Sequence, residues 1–277
     1  MSPRHAGIIT QVSRGMRLGG KLLQGLLLAW FVFPQLKLLE RRELVERWCR
    51  EVLDVLNVRL ILHGEVPPQR VSSIFFVANH ISWLDILVLN SIRQVRFVAK
   101  AELRSWPIIG ALAKRTGTFF LQRKSMTQLS RLTRSLTSAL RRGDCVAVFP
   151  EGTTTDGTSV RSFHSGLFEA PVIAGSLIWP IALRYVVSDG RPDTPLAFVG
   201  DESLVASIFK HLKQATITVH VSFAVPFESA GESRQDLCLR SHRTIEACLS
   251  RTPLFVGDGS DSWKLSAGQF FPPVSAA

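Results

Sequence analysis

A histidine five residues ahead of an aspartate, in Asn79-His80-Ile81-Ser82-Trp83-Leu84-Asp85, is the part of this chain best suited to chemistry. Imidazole is the side chain whose ordinary proton affinity lies nearest neutrality. A carboxylate bonded to one ring nitrogen fixes the tautomer and leaves the other nitrogen free to take a proton. The spacing serves that pairing if a helix starts near Ser82, because His80 then sits just outside it and Asp85 in its first turn. The result is a base and its orienter without a protein nucleophile. A second stretch, Phe149-Pro150-Glu151-Gly152-Thr153-Thr154, closes another apolar run with a carboxylate and a glycine in a polar loop able to hold a substrate. Asp85 also has a structural reading. Ser82-Trp83-Leu84-Asp85 matches the capping-box pattern, in which the carboxylate serves the helix end and His80 is a loop histidine.

Companion stretches weigh against the purely structural reading. Gly117-Thr118-Phe119-Phe120-Leu121-Gln122-Arg123, then residues 149–153, then Ile178-Trp179-Pro180-Ile181 follow His80 in order. The ordered set resembles the phospholipid/glycerol acyltransferase family, whose members include the 1-acylglycerol-3-phosphate acyltransferases, over roughly residues 59–183. Each motif is weak alone, whereas the set in sequence is specific. The resemblance implies that His80 is the catalytic base and Asp85 its partner. It implies that Arg123 binds phosphate and that Glu151, Gly152 and Thr153 bind the acceptor. Pro180 would be structural. Lys100, in Lys100-Ala101-Glu102-Leu103, resembles a further family segment and joins the expected substrate-binding set.

The reaction implied is transfer of a fatty acyl group from a thioester of coenzyme A or acyl carrier protein to the free hydroxyl of a lysolipid. The lipid hydroxyl is itself the nucleophile, so no acyl-enzyme is required, and no metal or redox cofactor is expected. Two departures bear on the acceptor. The family often carries an arginine directly after Glu-Gly-Thr, where this chain has Thr154, and a cation in a later Phe-x-x-Gly segment, here Phe163-His164-Ser165-Gly166. Both are places where charge-assisted hydrogen bonds would grip a phosphate; Arg161 is the cation left nearby. The leading acceptor is 1-acylglycerol-3-phosphate, with phosphate-free lyso-ornithine lipid as runner-up.

Composition points to a membrane. The net charge is +11, which favours polyanions. Residues 1–50 hold nine Lys/Arg against three Glu, together with the longest apolar run, residues 22–39. Bases beside an apolar helix fit an anionic leaflet better than they fit nucleic acid. With a single tyrosine, the chain also lacks the aromatic platform of a nucleic-acid binder. A spanning helix needs about 20 mostly apolar residues. The uninterrupted part here is shorter and has bases on both sides, so a helix lying in or dipping into one leaflet is expected, on the cytoplasmic face of the cell membrane, with a true span as the close second. Cys49, Cys145, Cys238 and Cys248 show no CxxC or zinc-ligand spacing and read as thiols of a reducing compartment.

These groups need a scaffold. Helical periodicity predicts an amphipathic helix over 40–56 and further helices over 82–90, 106–115, 125–142, 203–214 and 233–250. Apolar runs predict strands over 58–62, 74–78, 95–99, 118–122, 146–149, 181–185 and 217–223, the last half-buried because its polar residues alternate. Residues 125–142 carry Arg131, Arg134, Arg141 and Arg142 away from their leucine side. Strand and helix alternate at short range. The expected fold class is α/β: one domain (57–251) with a central mixed, mostly parallel sheet flanked by helices. Membrane-associated helices (1–56) precede it and an irregular tail (252–277) follows.

Overall fold

The computed structural model describes residues 5–122, 126–187, 192–200 and 202–251. Two helices lead the chain. The first, α1 (Ile8–Leu27), runs on through a π turn at Leu28–Val32 and a 3-10 turn at Phe33–Gln35. Pro34 ends it, because proline has no N–H to continue the ladder. Helix α2 (Leu38–Val55) starts where Glu40 accepts the backbone N–H of Lys37 at 2.6 Å.

α1 begins well before the apolar run that marked it in sequence. Arg14 and Lys21 are therefore inside the helix, not flanking it. Both turn towards the protein: Arg14 donates to the carbonyls of Gln214 and Ala215, and Lys21 pairs with Glu51 at 2.6 Å. Tertiary partners compensate the weak local pattern there.

The sheet contains β1 (Val58–His63), β2 (Ile74–Ala78), β3 (Arg96–Lys100), β4 (Phe119–Leu121), β5 (Val146–Val148), β6 (Leu177–Val186), β7 (Ile217–Phe223) and the short β8 (Phe227–Glu228). Its order is β1-β7-β6-β2-β5-β3-β4, with β8 beside β6. From β6 to β4 all neighbours are parallel. β7 and β8 run antiparallel to β6, and β1 is parallel to β7. The sheet is thus mixed and mostly parallel, as expected.

Connections between parallel strands carry α3 (Leu84–Ile92), α4 (Ile109–Arg115) and α5 (Met126–Arg141); α6 (Glu169–Ala174), α7 (Leu204–Lys213) and α8 (Arg234–Arg251) complete the layers. The pleat sends alternate side chains of β2 to opposite cores. Ile74 and Phe76 join Val52, Leu84 and Val88 under α2 and α3, on the side that also holds Leu18 of α1 and Leu212 of α7. Phe75 and Val77 join Leu136, Leu140, Phe168 and Ile245 under α5, α6 and α8.

Several expectations shift. α3 and α4 start later than the periodicity suggested, and β6 extends four residues further back, to Leu177. The helix α6 was not anticipated because Pro171 lies within it. β7 is not half-wetted: His220 and Ser222 are buried, since β7 is an inner strand and His220 meets His63 of β1 at 2.9 Å. Cys49, Cys145 and Cys238 are buried free thiols. The expected tail, 252–277, lies outside the described residues.

Candidate active site

β2 and β5 are parallel neighbours in register at Val77 and Val148, so they end at one edge of the sheet. The loops that follow, carrying His80 and Glu151, are thereby brought together. Asn79 clips the first loop to β6: its amide accepts the N–H of Leu183 at 2.8 Å and donates to the carbonyl of the same residue at 3.0 Å.

His80 Nδ1 lies 2.8 Å from Asp85 Oδ2. An ionised carboxylate only accepts, so Nδ1 carries the proton and Nε2 presents a lone pair. The same Oδ2 accepts the backbone N–H of Ile81 at 2.8 Å and of Ser82 at 3.0 Å. The two readings of Asp85 therefore describe one carboxylate, which orders the loop before the helix and orients the ring. Asp85 is fully buried, whereas the His80 side chain keeps 18 % of its surface and can be reached. Its ring stacks on Phe149, with centroids 3.9 Å apart and planes 10° apart, and Phe149 stacks in turn on Phe97.

Asp85 has a further partner that sequence reasoning missed. Tyr185 of β6 donates its hydroxyl to Asp85 Oδ1 at 2.7 Å. A signal was available. Tyr185 is the only tyrosine of the chain and stands in a buried apolar strand, and a buried phenol normally finds an acceptor. Burial and the nearby Asp85 charge push its pKa well above the usual tyrosine value. Beneath the loop, His211 of α7 donates from Nδ1 to the carbonyl of Ser207 at 2.7 Å, and its Nε2 faces the Ser82 hydroxyl at 3.4 Å. Burial lowers the His211 pKa and keeps it neutral.

Glu151 is engaged by the backbone of two loops. Only 4 % exposed, it accepts the N–H of His80 at 2.8 Å on one oxygen and the N–H of Arg161 at 2.9 Å on the other. Desolvation raises its pKa and these hydrogen bonds oppose the rise. It braces two loops, with one backbone N–H on each oxygen. Gly152 has φ 67°, the left-handed turn that closes when its N–H meets the carbonyl of Phe149 at 3.0 Å. Thr153 is half-buried beside it. Thr154 bonds the carbonyl of Phe198, while Thr155 N donates to the carbonyl of His80 at 2.8 Å. Lys100 is exposed at the end of β3, in register with Leu121 and so at the same sheet edge. Arg123 lies outside the described residues.

Beside this edge is an apolar cavity of about 220 Å³. Leu22 and Gly25 of α1, Trp48 of α2, Ile86 of α3, Ala99 of β3 and Ile208 of α7 contribute to its wall. Trp83 and Phe97 line it too, linking it to the His80 loop and to the aromatic stack behind the ring. Among the described residues, no group of three or more His, Cys, Asp or Glu is placed to hold a metal ion.

Comparison with known proteins gives concordant results. A family model described as Acyltransferase matches residues 59–184. The chain is 35 % identical to the lyso-ornithine lipid O-acyltransferase of Pseudomonas aeruginosa, over 76 % of its own length and 80 % of that protein's. It is 34 % identical to the protein of the same name from Rhizobium meliloti, over 68 % of each. With the 1-acyl-sn-glycerol-3-phosphate acyltransferase of Neisseria meningitidis it shares 29 % identity, over 73 % of this chain and 78 % of that one. The crystal structure of the 1-acyl-sn-glycerophosphate acyltransferase from Thermotoga maritima superposes with a TM-score of 0.62 at 19 % identity, covering 86 % of this chain and 96 % of that chain. At that identity the last match speaks for the fold.

Proposed function

The chain belongs to the acyltransferase family and is an O-acyltransferase; from that premise we propose that it moves a fatty acyl group from a thioester donor to the hydroxyl of a lysolipid, with His80 as base. The observation that carries this reading is the His80–Asp85 contact, which engages Nδ1 and leaves Nε2 free of Asp85 on a side chain that is 18 % exposed. Nε2 takes the proton as the acceptor oxygen attacks the thioester carbonyl. Asp85 stabilises the imidazolium that forms, and the proton then passes to the departing thiolate. Phe149 holds the ring by stacking and Asp85 holds it by hydrogen bond, so little reorientation is needed at the moment of transfer.

The apolar cavity beside the loop suits the acyl chain, because its wall is aliphatic and aromatic and it approaches the His80 loop at Trp83. For the headgroup we favour a phosphate-free acceptor, lyso-ornithine lipid. Thr154 occupies the place where an arginine often stands, and its hydroxyl is engaged by Phe198. The relatives at 34–35 % identity bear that acceptor in their names. Lysophosphatidate is the second reading, supported by Arg123 at the end of its motif and by the relative at 29 %. Offering both acceptors separately, with acyl-CoA and with acyl carrier protein thioester, decides both partners. Turnover of lysophosphatidate alone, lost in Arg123→Ala, would reverse the headgroup assignment.

The enzyme is membrane-associated, and Ile8–Gln35 has the length and composition of a membrane segment. We read it as lying in the cytoplasmic leaflet. Contacts along its length support a helix that lies along the domain: Ala6 bonds Lys213, Arg14 bonds Gln214, Gly25 lies against Trp48, and Arg115 stacks over Trp30. A helix held against its domain from Arg14 to Trp30 favours lying in a leaflet over crossing it.

A further inference from the structure

We infer that α7 is a second membrane-binding helix, seated in the same leaflet as α1; this rests on reading α1 as a membrane segment and adds a contact remote from it in sequence. The inner side of α7 is fully used. Leu204 and Ile208 line the apolar cavity, Leu212 is buried, Ser207 accepts the indole N–H of Trp83 at 3.2 Å, and His211 meets Ser82. The outer side carries Val205 and Phe209, four residues apart and so stacked on one face. They are 62 % and 58 % exposed. Lys213 continues that face, and the helix contains no acidic residue. A short helix whose inner side is satisfied has no structural need for a large aromatic on the outside.

The position of this face says what covers it. α1 and α7 lie against one another at Gly15, where a Cβ would come within 3.7 Å of Leu212, and at Ala6, whose N–H meets the carbonyl of Lys213 at 2.8 Å. Going round α1 from Gly15, away from Gly25 and its Trp48 contact, the next side chains are Ile8, Val12 and Met16. All three are exposed. The open apolar stripe of α1 therefore borders α7 and continues into Val205 and Phe209. A lipid leaflet covers both helices at once, with Lys213 at the rim suited to anionic headgroups. Two consequences follow. The cavity, walled by Leu22 of α1 and Ile208 of α7, lies directly beneath the leaflet-facing layer. The helix that supports Ser82 and Trp83 of the catalytic loop is itself in contact with the membrane.

The test uses the full chain and vesicles of phosphatidylcholine with phosphatidylglycerol. Replacing Val205→Ser and Phe209→Ser together should lower the vesicle partition coefficient roughly tenfold or more, the loss expected when two apolar side chains no longer enter lipid. Thermal stability should not change, since both side chains are exposed. Leu239→Ser is the control; Leu239 is equally apolar and half-exposed, but on α8 across the sheet. Its partition should match wild type. In a separate variant, Phe209→Cys carrying a polarity-sensitive fluorophore should shift to the blue on binding and be quenched by brominated acyl chains. Unchanged partition of the double variant, or a fluorophore that stays in water, would overturn the inference. So would a lipid-free dimer that the double variant dissociates, because a second copy would then be the occupant. None of these readouts involves acyl transfer, so failure here and failure of the proposed reaction are distinguishable.

Discussion

Tyr185 donates its phenolic hydrogen to Oδ1 of Asp85 at 2.7 Å, on the side of the carboxylate opposite His80. Asp85 thus takes four donors: the His80 ring, the N–H groups of Ile81 and Ser82, and the phenol. Asp85 is fully buried, and each donor helps to fix the carboxylate plane. Tyr185→Phe removes one of them and leaves a buried oxygen under-satisfied, at about 1–3 kcal/mol of stability. The rate should fall roughly tenfold. The acceptor KM should change little, because Tyr185 touches Asp85 and acts on His80 only through it. A loss of stability with kcat unchanged would make Tyr185 a packing residue.

His80→Ala should abolish transfer and leave the circular dichroism spectrum and melting temperature close to wild type. Asp85→Asn should be more damaging than a pure orienter would be. It should cut the rate by roughly 10³–10⁴-fold and also lower the melting temperature, since Oδ2 serves the backbone of Ile81 and Ser82. Loss of stability without loss of rate would leave Asp85 as a helix cap alone.

Glu151→Gln places an amide where both carboxylate oxygens accept backbone N–H groups. One N–H loses its acceptor, at a cost of about 1–3 kcal/mol. Steady-state kinetics should show a lower kcat with the acceptor KM nearly unchanged. A large rise in KM would mean that Glu151 contacts substrate after all.

Ala99→Phe introduces a ring into the wall of the apolar cavity. Acyl donors of different length, assayed in competition, should show a preference shifted towards shorter chains. A uniform loss across all lengths would place the acyl chain elsewhere.

Burial beside His63 and Arg184 lowers the pKa of His220 from 6.5 to about 4. A histidine that resists charging when folded and accepts a proton when unfolded makes folding less favourable as pH falls between those values. Thermal melts should therefore lose stability from about pH 6.5 towards about pH 4. His220→Phe should flatten that slope; an unchanged slope would assign it to other groups.

Much of the site was legible in the sequence where the relationships are short. His80 and Asp85 are five residues apart, and a helix starting between them brings the two together whatever surrounds them. Strand and helix periodicity likewise gave the α/β class, because an apolar run or a 3.6-residue repeat reports burial locally. The helix ends and the burial of β7 were less legible, since neighbours decide them: His220 alternates like a surface residue but has β1 and β6 on either side. The long-range partners were decided by tertiary structure alone. Tyr185 reaches Asp85 across 100 residues, and Glu151 reaches the His80 N–H across 71. Both contacts require β6 and β5 to flank β2 in one particular register. Residue types and spacing supplied a histidine–aspartate pair and an apolar helix accompanied by bases. Only the packed sheet determined that Asp85 has a phenol behind it, that Glu151 braces loops, and that α1 lies along the domain beside α7, because strand order and register set which distant side chains share one buried space.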